Sequence, residues 1–269
     1  MKPAERSDPA RLLRRRVQWR DLVAMRRRDG LAECLHPVPW LLASWWLAGQ
    51  GLWLLAPACS FMFFLTALRL NHEAIHFKLG FGTVGHRHVL HVLSAFMLGS
   101  NHAVAFNHMR HHNHLGTAKD VEGKCGRMSG LRVLAYGPLF PVEMHLCAWQ
   151  QGGPALRRRM LVDLGLNGAF IGIAIVTGSQ TLFYHLAAMA CAQSLTALFA
   201  VWITHRGCDG EHLVARTQRS PLLNLVTYNM FLHLEHHLFP SVPVRRLGRL
   251  AARIDAASPE LPAQARRVI

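Results

Sequence analysis

From Pro37 to Leu68 the chain runs without a single charged residue, and nothing else in it limits the fold so strongly. A bilayer core of about 30 Å is crossed by about 20 mostly apolar residues in helical form. Four segments approach that length: residues 38–55 and 57–70, then 161–176 and 181–203. A short uncharged turn joins the members of each pair, so the pattern predicts an all-α integral membrane protein with four transmembrane helices in two hairpins.

Charge is segregated to match. The sequence has 30 Lys+Arg against 15 Asp+Glu, and ten of the basic residues fall in the first 36, including Arg14–Arg16 and Arg26–Arg28. More lie between the hairpins (Arg69, Lys78, Arg87, Arg110, Arg157–Arg159) and after them. Basic loops stay on the cytoplasmic side, so both termini and the middle segment are expected there, in a multi-pass protein of a bacterial inner membrane. A net charge of +15 also suits phosphate backbones, but apolar segments of this length argue against a nucleic-acid module.

At 269 residues one domain is expected. It divides into a basic tail (1–36), a first hairpin (38–70), a cytoplasmic or interfacial segment (71–160), a second hairpin (161–203) and a cytoplasmic end (204–269). Segments 89–106 and 131–149 are apolar but interrupted by His, Asn and Pro, which predicts partly immersed helices. Residues 221–238 read as one cytoplasmic helix. Six cysteines without C-x-x-C spacing read as reduced and structural. The long basic lead before the first apolar run does not fit a cleaved signal peptide.

Eighteen histidines are many, but their spacing carries the chemistry. Three clusters stand out: His72 with His76, His108 with His111 and His112, and His233 with His236 and His237. Residues three and four apart share a helix face, so each cluster is expected to direct its imidazoles one way. At this histidine frequency a chance H-x-x-H-H is expected in about a tenth of such chains, and two are far rarer. Every cluster lies just past a predicted span or in a cytoplasmic segment, so all three can converge at the membrane boundary, with His205 at the end of the fourth span. The clusters supply eight imidazoles and His205 a ninth. One zinc needs only four ligands, so the number points to two metals. Imidazole serves Zn, Cu, Fe and Ni alike.

His72-Glu73-Ala74-Ile75-His76, Asn107-His108-Met109-Arg110-His111-His112 and His233-Leu234-Glu235-His236-His237-Leu238-Phe239-Pro240 resemble the three histidine boxes of the membrane fatty acid desaturase superfamily. The resemblance extends over about residues 40–245. It implies four transmembrane helices, a cytosolic helical cap and a di-iron centre held by His72, His76, His108, His111, His112, His233, His236 and His237, with His205 as the extra ligand. It also implies that two Fe2+ ions use O2 to oxidise an unactivated C–H bond of a lipid. Loss of a second hydrogen gives a double bond in a fatty acyl chain, whereas oxygen insertion gives an alcohol.

Hydroxylases and carotenoid ketolases carry comparable boxes, and a metal-handling membrane transporter is the alternative of another class. Asp120, Glu122, Glu235, Glu73 and Asp209 are candidate acceptors for the outward N–H groups of the ligands. Trp45, Trp46, Phe61, Phe63, Phe64, Phe199 and Trp202 are candidates for the walls of a substrate tunnel. No cysteine cluster or His-Pro-Gly-Gly motif marks a fused electron carrier, so the family suggests a separate ferredoxin or cytochrome b5-like donor. The basic face would dock it, or bind membrane lipid head groups.

Overall fold

The computed structural model describes residues 9–208, 214–259 and 268, and among them every regular element is helical. Helices α1 (Pro9–Arg16) and α2 (Arg27–Leu35) precede an antiparallel apolar pair, α3 (Pro37–Gly49) and α4 (Ala56–Ile75). Then come α5 (Thr83–Met97), α6 (Asn101–His114), α7 (Gly130–Tyr136) and α8 (Leu139–Gln151). A second long pair follows, α9 (Pro154–Thr177) and α10 (Gln180–His205). Three short helices close the chain: α11 (Pro221–Val226), α12 (His233–Leu238) and α13 (Leu247–Ala257). Proline sits in the first turn of α3, α4 and α9, where its missing N–H has no helical partner to lose.

By length and composition α9 and α10 can cross a membrane, and α5 with α6 adds a third span if the bent pair counts as one. The first expected hairpin is weaker for a physical reason. Helix α3 has 13 residues, a rise of about 20 Å, and the last turns of α4 carry Arg69, Asn71, His72 and Glu73. Large apolar side chains nevertheless face outward on both pairs, among them Leu42, Trp46, Leu54, Ile173, Ile175 and Val176. An apolar skin of this extent belongs against lipid.

Three expected helices are broken. Segment 89–106 is split between α5 and α6, which meet at 114°. Segment 131–149 is divided at Gly137-Pro138 into α7 and α8. Residues 221–238 form α11 and α12, separated by a loop in which Tyr228 and Asn229 are both left-handed, at φ 51° and 63°.

The α5–α6 break exposes backbone groups that α8, α9 and α10 satisfy. Ser100 N–H donates to His145 Nε2 (2.7 Å), Asn167 bonds both N–H and C=O of Gly99 (3.0 and 3.2 Å), and Gln193 donates to Met97 C=O (2.8 Å). Buried Asp163 on α9 accepts from His91 Nδ1 (2.6 Å), His102 Nδ1 (2.9 Å) and Ser100 Oγ (2.6 Å). Such pairing lets a helix break persist in an apolar surround. It also fixes the direction of α6.

A separate core, built on Leu13, Leu22, Leu238, Phe239, Leu250 and Ile254, joins the N-terminal segment to α12 and α13. Buried Glu235 ties α12 to the preceding strap through Thr217 Oγ1 (2.6 Å) and Arg219 (2.7 Å). Among the described residues Cys34, Cys59, Cys125, Cys147 and Cys191 form no disulfide.

Candidate metal centre

Helix α4 presents His72 and His76 at its end, α6 presents its three box histidines one turn before its own, and α12 consists largely of the third cluster. Helix α10 reaches the same place with His205, after a π-helical stretch at Ala197–Trp202. Insertions of this kind re-aim the residues that follow them and recur at functional sites. The structure brings all nine predicted histidines together as two sets, not one. His72, His76, His108, His112 and His236 form the first, and His111, His205, His233 and His237 the second.

Within the first set neighbouring Nε2 atoms lie 3.0 Å (His72–His236), 2.9 Å (His236–His112), 3.2 Å (His112–His108) and 3.1 Å (His108–His76) apart. In the second they lie 3.2 Å (His111–His205), 2.9 Å (His205–His233) and 3.1 Å (His233–His237) apart. Adjacent nitrogens around an ion bound at about 2.1 Å sit about 3.0 Å apart in octahedral and about 3.4 Å apart in tetrahedral geometry. The observed spacings are short enough for the nitrogens of each set to share one ion. The two sets adjoin, with the rings of His112 and His237 stacked at 4.4 Å.

The expectation that each cluster points one way is corrected here. Successive residues on an α-helix diverge by about 100°. The i,i+4 pair His108 and His112 therefore serves the first set, and His111 turns to the second. In α12 His233 and His237 serve the second set while His236 joins the first.

Outward nitrogens identify the tautomers. His108 Nδ1 donates to Glu122 Oε1 (2.9 Å), His111 Nδ1 to Asp120 (2.9 Å) and His205 Nδ1 to Val214 C=O (3.0 Å). A proton held on Nδ1 leaves the Nε2 lone pair pointing inward. Burial would raise the Asp120 and Glu122 carboxyls, but their histidine partners hold both below the usual carboxylate range. Burial, then neighbouring imidazoles, pushes His233, His236 and His237 well below the ordinary histidine value. Neutral, unprotonated imidazoles are the metal-binding form.

The other expected acceptors differ. Glu235 bonds Thr217 and Arg219, Glu73 accepts from Val244 N–H (3.0 Å) and lies 3.9 Å from His72 Nδ1, and Asp209 lies outside the described residues. Asp163, unmarked by any motif, buttresses α6 from behind through His102 and Ser100.

Against the first set lies a cavity of about 90 Å3, lined by His72, His108, His233 and mainly apolar side chains including Leu68, Met97, Met144 and Val201. Of the aromatic residues expected to line a tunnel, Phe64 borders this cavity and Phe199 a smaller one beside it. Trp45, Trp46, Phe61, Phe63 and Trp202 border neither. They lie on exposed faces or against other helices, a distinction that hydropathy does not make.

Compared with curated proteins and with solved structures, the chain matches none. Compared with protein families, it matches fatty acid desaturase across residues 43–267, a stretch that contains all nine clustered histidines. The chain belongs to the fatty acid desaturase family.

Proposed function

We propose that the chain is an integral-membrane di-iron oxidoreductase that uses O2 and electrons from a separate protein to introduce a double bond into a fatty acyl chain. The observation that carries this reading is the pair of imidazole sets, five and four, buried or half-buried against an apolar cavity. Imidazole ligation admits iron along with Zn, Cu and Ni; the family favours iron, which when bound would supply the O2 activation that side chains cannot.

The chain's own residues do the rest. His72, His76, His108, His112 and His236 hold one ion, and His111, His205, His233 and His237 the other. Asp120 and Glu122 keep protons on the outward nitrogens of His111 and His108. His72, His108 and His233 are shared between the ligand sets and the cavity wall, so a substrate methylene in the cavity would lie against the metals. Leu68, Met97, Met144 and Val201 exclude water and grip the chain.

The proposed topology has α3 with α4 and α9 with α10 as two hairpins, leaving the histidines, both termini and α11–α13 cytoplasmic. It follows the placement of Arg14–Arg16, Arg26–Arg28 and Arg157–Arg159. The basic face would receive an acidic electron carrier.

The test is iron content by mass spectrometry on protein purified in detergent, with lipid profiling of the producing cells grown with and without O2. About two Fe per chain and an O2-dependent unsaturated lipid are expected from the two-site reading. An alcohol or ketone product would assign hydroxylase or ketolase chemistry instead. Iron that exchanges freely without any product would return the metal-handling reading.

A further inference from the structure

A second pocket, of about 450 Å3, opens where α4 ends, α5 and α9 begin and α6 passes. It shares only Ile75 with the cavity at the histidines, and none of the nine clustered histidines lines it. Its composition is unlike that cavity's. Three guanidiniums, Arg87, Arg110 and Arg159, surround it, and no carboxylate does.

These arginines lack the partners that charged groups usually find. Among the described residues none of the three forms an ion pair, and Arg87 and Arg159 repel each other across the pocket. Arg110 donates only one long bond, 3.4 Å to Lys119 C=O, and stacks over Phe106 at 5.4 Å, while its Nε is buried without a partner. His102, 3% exposed, also lines the pocket, and its Nε2 has no partner. Asp163 holds the other nitrogen of that ring (2.9 Å). The floor is apolar, with Leu90, Phe106 and Leu156. Phe77 takes a left-handed backbone at φ 58° and stays 56% exposed at the rim.

We infer that this pocket binds the phosphate ester of an anionic membrane lipid, with Arg87, Arg110 and Arg159 around the head group and the apolar floor beneath its acyl chains. Convergent cations of one sign, set on an apolar floor at the basic end of the helices, match an anionic amphiphile. A soluble anion would gain nothing from Phe77 and Leu156, and a neutral lipid nothing from the arginines. The site is separate from the metal centre, so its occupancy does not depend on iron.

The experiment is native mass spectrometry of the full chain in neutral detergent, titrated with phosphatidylglycerol, phosphatidylcholine or inorganic phosphate. One phosphatidylglycerol is expected to bind at least tenfold tighter than phosphatidylcholine and to resist millimolar phosphate. The double variant Arg87→Gln/Arg159→Gln should weaken it about thirtyfold. Arg27→Gln/Arg28→Gln, with the same charge change on an exposed segment, should leave it within about threefold. Equal affinity for the two lipids, or an unchanged double variant, would overturn the proposal. Displacement by phosphate alone would make the site one for a free anion, which also overturns it. The wild-type lipid comparison stands even if a variant misfolds.

Discussion

Glu122→Gln separates metal binding from folding. Glu122 Oε1 accepts the His108 Nδ1 proton at 2.9 Å, and Oε2 is buried with no partner. Glutamine keeps the shape and one carbonyl acceptor but removes the negative charge. With no ion bound, His108 and His111 already stabilise the carboxylate and hold it below the usual range, so the melting temperature of metal-free protein should fall modestly at neutral pH. With an ion bound, the charge that strengthens His108 as a donor is gone. Loss of such an outer partner weakens metal affinity about 10- to 100-fold, or about 1.4 to 2.8 kcal/mol. The assay is metal per chain after dialysis against graded chelator. The half-point for removal should shift to lower chelator by that factor, whereas Glu143→Gln, whose carboxylate meets Lys124 and Tyr136, should leave it in place. Unchanged retention in Glu122→Gln would refute the claim that the carboxylate tunes the ligand.

His111→Ala and His236→Ala remove one ligand from each set and should each abolish product and lower bound iron; activity retained in both would sink the assignment. Asp163→Ala strips the acceptor from His91, His102 and Ser100, and at about 3–5 kcal/mol should lower the melting temperature by many degrees, with a change under 1 kcal/mol contradicting its role at the α5–α6 break. Asp21 bonds Arg253 at 2.7 and 2.8 Å, and that hydrogen bond holds its carboxyl below the ordinary value of 3.8. A depressed carboxyl stabilises above its unfolded value and loses that contribution as pH falls through the folded one, so wild type and Asp21→Asn should differ in melting temperature at pH 6 and converge only as the pH falls below the depressed folded value, which lies under 3.8; a constant difference would rule out the charged pair.

How much of this was legible in the sequence depended on whether the cause was local. His72 with His76, and His233 with His237, could be read because four residues return a helix to the same face. Division into sets of five and four was not, since which side of α6 meets α10 and α12 is a tertiary matter. The break at Leu98–Ser100 had a faint local sign in Gly99-Ser100, where Ser100 caps α6 by accepting from Ala103 N–H. The Tyr228-Asn229 turn had only Asn229, a residue that tolerates the left-handed region, and nothing local marks Tyr228, whose left-handed backbone is imposed by the surroundings. Asp163 stood among apolar neighbours, and its partners at positions 91, 100 and 102 are far away in sequence. Aromatic residues misled the search for the cavity, as their chemistry is the same against lipid, helix or substrate.

Helices α6 and α12 each divide their histidines between the two ligand sets, so neither helix belongs to one ion alone. An ion that enters first and fastens α6 against α12 has already assembled most of the second site. Filling is therefore expected to be cooperative. A half-loaded preparation would be a mixture of full and empty molecules rather than a population of half-filled ones, and iron titration would rise with a Hill coefficient above about 1. For a cell short of iron, such a protein would divide the metal into fewer competent copies instead of spreading it thinly over many inactive ones.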